Sequence, residues 1–280
     1  MIRPWIRRWG RGIVIVLILA LALVWITPIW LAFVSSLKSW DEFKTTSAWV
    51  LPLDPNFTNY VNFWTRTNFW LKISNSLLSS FSALVISMVL SFSMAYAIAI
   101  GRHKWRRVVL VVCVIVFVLP QEAFAYPVYL LAKMFDVYGS IWALVVPLGI
   151  IGTAFGTFLL SEIMSHFPVE MLEAARIDGA GRWQVLRRIV LPVMMPSILT
   201  VALLLFVANW NEYLFTLLLL PREAAQTVPL AIASIYDGGR TGPDPTVQAA
   251  AAIIGALPSI VIFLIFQRSL VRGITMGSAK

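Results

Sequence analysis

At 280 residues, 60% hydrophobic and only 12% charged, with a mean hydropathy of +0.84, the chain lies far from soluble domains, in which about a quarter of residues are charged. That composition excludes an ordinary soluble enzyme and marks an integral membrane protein, read as all-α from the helical length of its apolar runs. The net charge of +9 does not describe a nucleic-acid surface, since the cations fall in short loops between apolar runs and form no basic face with stacking aromatics. The single cysteine, Cys113, sits inside an apolar run and permits neither an intrachain disulfide nor a cysteine-based metal site.

Arg3, Arg7, Arg8 and Arg11 precede the first apolar run, at 13–34. It is long enough to cross a hydrocarbon core that needs about 20 helical residues. It also exceeds the h-region of a signal peptide and is followed by no small-x-small cleavage pattern, so it reads as an uncleaved span. Residues 35–72 are mixed polar and aromatic, with Pro52 and Pro55, and read as an external loop in which no chemistry is visible. The second run, 73–100, carries Ser74, Ser76, Ser79, Ser80, Ser82, Ser87, Ser91 and Ser93. Small residues of this kind let helices approach closely, which predicts burial among other helices. After the basic turn 102–107 comes a third run, 108–131, interrupted at Leu119-Pro120-Gln121-Glu122. A proline there frees a carbonyl that a neighbour or water must satisfy, so the break is expected to face protein or a cavity. The fourth run covers 140–160, the fifth 193–220 and the sixth 247–266, giving one transmembrane domain over 1–280.

Between the fourth and fifth runs lies the one polar, helix-forming stretch, 166–192. Pro168 suits a first helical turn, and Glu170 and Glu173 place negative charge near the positive end of the helix dipole. Gly179, within Asp178-Gly179-Ala180-Gly181, suits the left-handed position that ends a helix. Arg182 to Val190 then predicts a second helix closed by Leu191-Pro192. The expectation is helix, glycine turn, helix, an arrangement that soluble domains also use. With six spans, 15 of the 22 Lys and Arg residues fall on the side that holds this loop and both termini, which marks that side as cytoplasmic.

Glu173-Ala174-Ala175, three residues, Gly179, nine residues, Ile189, one residue, Leu191-Pro192 matches the "EAA" loop of permeases in ATP-binding-cassette importers. The chain resembles the maltose-type carbohydrate branch of that family over nearly its whole length. The same resemblance is carried by Leu119-Pro120, Tyr126-Pro127-Val128-Tyr129-Leu130, Asn209-Trp210-Asn211-Glu212-Tyr213 and Gln267-Arg268 through Arg272-Gly273-Ile274-Thr275 to Gly277. One departure is the ending, Gly277-Ser278-Ala279-Lys280, where the family commonly has Gly-Ala-Val-Lys-Gly. The resemblance implies a permease subunit of the bacterial or archaeal plasma (inner) membrane, with both termini cytoplasmic. Its expected partners are membrane lipid, a second homologous permease, two nucleotide-binding ATPase subunits and an extracellular solute-binding protein. Glu173, Ala174, Ala175, Asp178 and Gly179 are the implied ATPase-coupling residues. Gly273, Thr275 and Gly277 are the implied contacts of the tail with the ATPase dimer. The resemblance implies no cofactor on this chain, with ATP and Mg held in the partner ATPase.

The residues themselves add a candidate solute path. Asn209, Asn211 and Glu212 lie in the fifth run, where polar groups are costly unless they face protein or water. Helical spacing puts Asn209, Glu212 and Thr216 on one face and Asn211 opposite. Asn209 and Glu212, with Glu122 beside the Pro120 break, are therefore candidates to line or border the path. Interhelical bonding is the other role that this pattern serves. His103 and His166 have no second ligand at metal spacing and receive no role. No phosphate loop, dinucleotide fingerprint or convergent acid–base cluster is present, so the chain is not read as an enzyme. An ion-coupled secondary transporter is the alternative, and it predicts paired broken helices, of which the sequence shows one. A membrane enzyme or assembly factor is the third reading.

Overall fold

In the computed structural model, which describes residues 4–101, 104–235 and 244–278, the described residues form helices and turns and no strand. The first apolar run becomes α1 (Pro4–Ser36). Its residues from Gly12 to Ile26 are exposed in the isolated chain, as suits a surface turned to lipid or to another subunit. Two short helices follow, α2 (Trp40–Thr45) and α3 (Thr58–Arg66), and then the long α4 (Phe69–Ala95). The third run is α5 (Arg106–Val118) and α6 (Gln121–Met134). The fourth is α7 (Ile141–Ser165), opened by Ser140, whose hydroxyl accepts the Trp142 N–H at 3.3 Å. Then come α8 (Val169–Ile177), α9 (Arg182–Val185), α10 (Leu191–Trp210), α11 (Leu214–Leu219), α12 (Val228–Ala233) and α13 (Pro245–Ser278).

Among the described residues, five stretches are long and apolar enough to cross a membrane: Gly12–Ser36, Phe69–Ile100, Ile141–Ser165, Arg182–Trp210 and Pro245–Gln267. A sixth arises if α5 and α6, bent by 96° across Leu119-Pro120, form one broken span. The cause of that bend is legible. Pro120 has no N–H to continue the ladder, and it restrains Leu119 to an extended conformation (φ −61°, ψ 134°).

By contacts the chain divides into two compact units, Met1–Phe69 with Ile232–Leu257, and Trp70–Ala231 with Pro258–Lys280. In the first, the loop read as chemically silent is built on buried polar groups. Lys38, 1% exposed, donates to Thr46 Oγ1 at 2.9 Å and to the Ser47 carbonyl at 2.7 Å. The Asn59 amide donates to the carbonyls of Ser36 and Lys38, both at 2.8 Å, and its own oxygen accepts from Thr246 Oγ1 at 3.4 Å. Two chain segments far apart in sequence are thereby tied at one end of the unit.

The second unit is organised around α7, which packs on α5, α10 and α11. Its glycines set the spacing to α4. A Cβ at Gly152 would come within 2.5 Å of Ser87 Oγ, and one at Gly156 within 2.7 Å of Ser91 Oγ. Ser87 Oγ bonds the Gly149 carbonyl at 2.9 Å. Ser76, Ser79, Ser80, Ser87 and Ser91 are buried as the sequence predicts, while Ser74 and Ser93 are exposed and return their hydroxyls to their own helix. Small residues here replace bulk with close approach, the usual solution where lipid offers no hydrophobic drive between helices.

Candidate functional site

The loop 166–192 contains the expected helix and glycine turn. Asp178 N–H and Ala180 N–H return to the carbonyls of Ala174 and Ala175 at 3.0 and 2.9 Å, and Gly179 takes φ +74° between them. These bonds satisfy carbonyls that a helix end leaves open. No atom lies within 4 Å of a Cβ built on Gly179, so its requirement for glycine is one of backbone conformation alone. Two details differ from expectation. The second helix is not closed at Leu191-Pro192, because α9 runs through a π-helical turn, Leu186–Val190, directly into α10. There the Leu191 N–H bonds Leu186 O, five residues back, and the wider turn accommodates a proline that has no N–H to give. The Ala174-Ala175 pair is also divided. Ala174 is exposed, whereas Ala175 is 5% exposed and packs in a core with Leu172, Val185, Phe167 and Met164.

That core fastens the helical hairpin to the membrane helices, since it continues through Leu160, Met194 and Ala95. Glu173, Ala174, Asp178 and Gly179 are all exposed on the outer surface of the hairpin, together with Glu170, Arg176 and Arg182. Sequence reasoning missed two neighbours, Ile177 at 87% and Trp183 at 70% exposure. Large apolar side chains left bare on a polar loop mark a contact surface, and their place beside the glycine turn was the signal available for them.

The fifth run is where the structure departs most. The sequence predicts one helix through 193–220, but α10 stops at Trp210 and α11 starts at Leu214. No proline or glycine stands at the interruption. It is held by side chains: Glu212 Oε1 accepts the Phe215 N–H at 2.8 Å, and Asn211 Nδ2 donates back to the Val207 carbonyl at 2.8 Å. Asn209, Glu212 and Thr216 are all buried and Asn211 is exposed, so the division into two sides holds without the continuous helix. Asn211 bonds within its own helix and not to a neighbour. Thr216 Oγ1 donates to Glu212 O at 3.3 Å and accepts from Thr227 Oγ1 at 3.2 Å, whereas Asn209 Nδ2 is buried with no partner among the described residues. Glu122 is exposed on the first turn of α6, and Gln121, which belongs to the same break, lies beside the Glu212 carboxyl.

α13 continues past Gln267 to Ser278, and the surroundings of Gly273, Thr275 and Gly277 lie outside what is described, as does His103.

Residues 87–276 match the model of the binding-protein-dependent transport system inner membrane component family. The chain belongs to this family. It is the membrane-embedded permease of a solute importer and not an enzyme, and the second broken helix does not make it an ion-coupled transporter. The permease is similar to the trehalose transport system permease protein SugB of Mycobacterium tuberculosis, 29% identical over 90% of this chain and 92% of the relative. It is also similar to the melibiose/raffinose/stachyose import permease protein MelC of Bacillus subtilis, 29% identical over 90% and 91%. A third relative is the sulfoquinovosyl glycerol transport system permease protein SmoH of Agrobacterium fabrum, 28% identical over 90% and 87%. Its fold matches a chain in the crystal structure of a bacterial ABC transporter involved in alginate import, with a TM-score of 0.78 at 23% identity, covering 96% of the permease and 98% of that chain.

Proposed function

We propose that this permease imports a sugar or oligosaccharide handed over by an extracellular solute-binding protein, with a second homologous permease and two ATPase subunits completing the complex. The chain crosses the membrane six times in this reading, α5 and α6 forming one broken span, with both termini and the loop 166–192 in the cytoplasm. The relatives named for trehalose, for melibiose, raffinose and stachyose, and for sulfoquinovosyl glycerol all carry glycosides. Asn209 and Glu212 border the path from behind its surface, and Glu122 stands at its break.

One observation carries the coupling assignment: the exposed Glu173, Ala174, Ile177, Asp178 and Trp183 stand on a hairpin whose other face is locked into the membrane core. An exposed surface of apolar and charged side chains on a rigid mount transmits a push, where a loose loop would absorb it. The hairpin docks on the ATPase subunit, which binds ATP and Mg, and the tail containing Gly273, Thr275 and Gly277 reaches the ATPase dimer. The test is uptake of radiolabelled trehalose, melibiose and raffinose into proteoliposomes that hold the complete complex and its binding protein. Accumulation that requires ATP and the binding protein supports the reading. Uptake driven by a proton or sodium gradient without ATP overturns it.

A further inference from the structure

Two of the long helices leave the α-helical ladder beside the hairpin. α4 runs into a π-helical turn, Tyr96–Ile100, after which the Gly101 N–H bonds Tyr96 O, five residues back, at 3.0 Å. α10 is entered through another, Leu186–Val190, where the Leu191 N–H bonds Leu186 O. These are the two π turns among the described residues. Far apart in sequence, they contribute to one core. Ala99 from the first and Val190 from the second are buried in the same cluster as Leu172, Ala175 and Val185 of the hairpin. The Tyr96 hydroxyl also donates to the carbonyl of Arg182, the first residue of α9, at 3.4 Å.

Each turn has its own cause. At the second, Pro192 has no N–H for the Arg188 carbonyl, and in an α-helix its ring would crowd that carbonyl. At the first there is no proline. The wide turn brings the Ala97 carbonyl so close that a Cβ on Gly101 would stand 2.4 Å from its oxygen, a backbone atom that cannot swing aside. Gly101 has φ −71°, open to any residue, so space and not dihedral calls for glycine there.

An α-helix passes on a push because its N–H groups are bonded four residues back along its whole length. A single π turn interrupts that ladder, and sharp bends in helices gather at such turns. A turn that is packed into the hairpin's core, yet less firmly bonded than the helix beyond it, is where displacement of the hairpin is taken up. We propose that the turns at 96–100 and 186–190 are the flexures of coupling: movement of the hairpin bends α4 and α10 there, and Gly101 and Pro192 are the positioning residues that keep the turns wide. This rests on the coupling assignment above.

The experiment measures sugar taken up per ATP hydrolysed by the full complex with its binding protein in proteoliposomes. The probe is whichever of radiolabelled trehalose, melibiose and raffinose the parental complex accumulates. Pro192→Ala supplies an N–H at the second turn and lets the α-helical ladder close, so thermal stability should hold or rise while uptake per ATP falls more than twofold. A turn with a purely structural role would give the same stability with an unchanged ratio. At the first turn, alanine at position 101 and the π geometry exclude each other sterically, so Gly101→Ala is expected to lose uptake per ATP in the same way. Should it fail to assemble, Pro192→Ala decides alone. A ratio within twofold of the parental value in either assembled variant overturns the proposal. Glu173→Lys, on the docking face, tells that failure from failure of the coupling assignment. If Glu173→Lys stops uptake while Pro192→Ala keeps the parental ratio, the hairpin couples but the turns are not its flexures. If Glu173→Lys transports normally, the coupling assignment falls and the flexures with it.

Discussion

The turn at Gly179 and the gap at Glu212 do the same thing, ending one helix and starting another, by opposite means. At Gly179 the device is the backbone: a φ of +74° and two returning N–H groups, on an exposed loop. At Glu212 it is a side chain: a carboxylate, 6% exposed, that substitutes for the missing backbone acceptor of Phe215. A turn of the first kind is written in a residue type that only a few conformations require. One of the second kind is written in an ordinary Glu, which sits in countless helices without ending them. Consequences of mutation differ accordingly, because backbone devices fail locally and buried side-chain devices fail with everything bonded to them.

The largest effect is expected on the exposed face of the hairpin, where nothing but a partner is touched. Glu173→Lys reverses a charge on a solvent-facing position, so it should leave the permease in the membrane at near-normal amounts while ATPase co-purification falls and uptake drops at least tenfold. A structural hairpin with no docking role predicts the reverse, reduced amount and full coupling in what survives. Normal uptake per permease in Glu173→Lys would remove the coupling assignment.

Next in size is Glu212→Leu. It strips the acceptor from the buried Phe215 N–H, and an orphaned buried donor costs about 1–3 kcal/mol. The start of α11 loses its tie, so yield in detergent and uptake should fall together. Asn209→Leu should separate the two. Asn209 Nδ2 is already buried without a partner, so an apolar side chain of similar volume is expected to preserve or raise thermal stability of the complex while lowering transport severalfold. If stability and transport both match the parent, Asn209 has no part in the path.

How much of this was legible follows the same division. Spans, the Pro120 break, the serine face of α4 and the glycine turn could all be read, because apolar length, a missing N–H, side-chain volume and positive φ are properties of single residue types. The α10 interruption could not. In the sequence Asn209-Trp210-Asn211-Glu212-Tyr213 nothing forbids a helix, and only the three-dimensional structure shows the Glu212 side chain taking the Phe215 N–H in place of a backbone carbonyl. The burial of Ala175 was hidden for a similar reason, since alanine suits an inner and an outer face equally well and Leu172, Val185 and Phe167 decide between them. Lys38 and Asn59 were hidden by the general expectation that loop polar groups face water.

A smaller effect is expected from the tail. Deleting Ile274 to Lys280 should lower solute-stimulated ATP hydrolysis about twofold to threefold without changing membrane insertion. Stimulation equal to the parent's would show that the tail makes no contact that matters.

The smallest effect sharpens the comparison most, because it asks what the glycine device is worth alone. Gly179→Ala adds one methyl group into open space, with nothing within 4 Å to resist it. The only cost is an L-residue at φ +74°, about 1 kcal/mol. A penalty of that size in a surface turn can be met by a slight relaxation of Asp178 to Gly181 that leaves the buried anchors Leu172, Ala175 and Val185 in place. Gly179→Ala is therefore expected to retain more than half of parental uptake per permease, and Gly179→Val, with its branched Cβ in the same conformation, to retain much less. Asn211→Leu is the matching control at the other interruption: it loses one exposed bond to Val207 O and leaves Glu212 untouched, so it should also transport at more than half the parental rate. If Gly179→Ala stops uptake as completely as Glu173→Lys, the turn is more than a backbone device and its surface must lie against the partner. If Asn211→Leu is as damaging as Glu212→Leu, the carboxylate is not what holds the gap open.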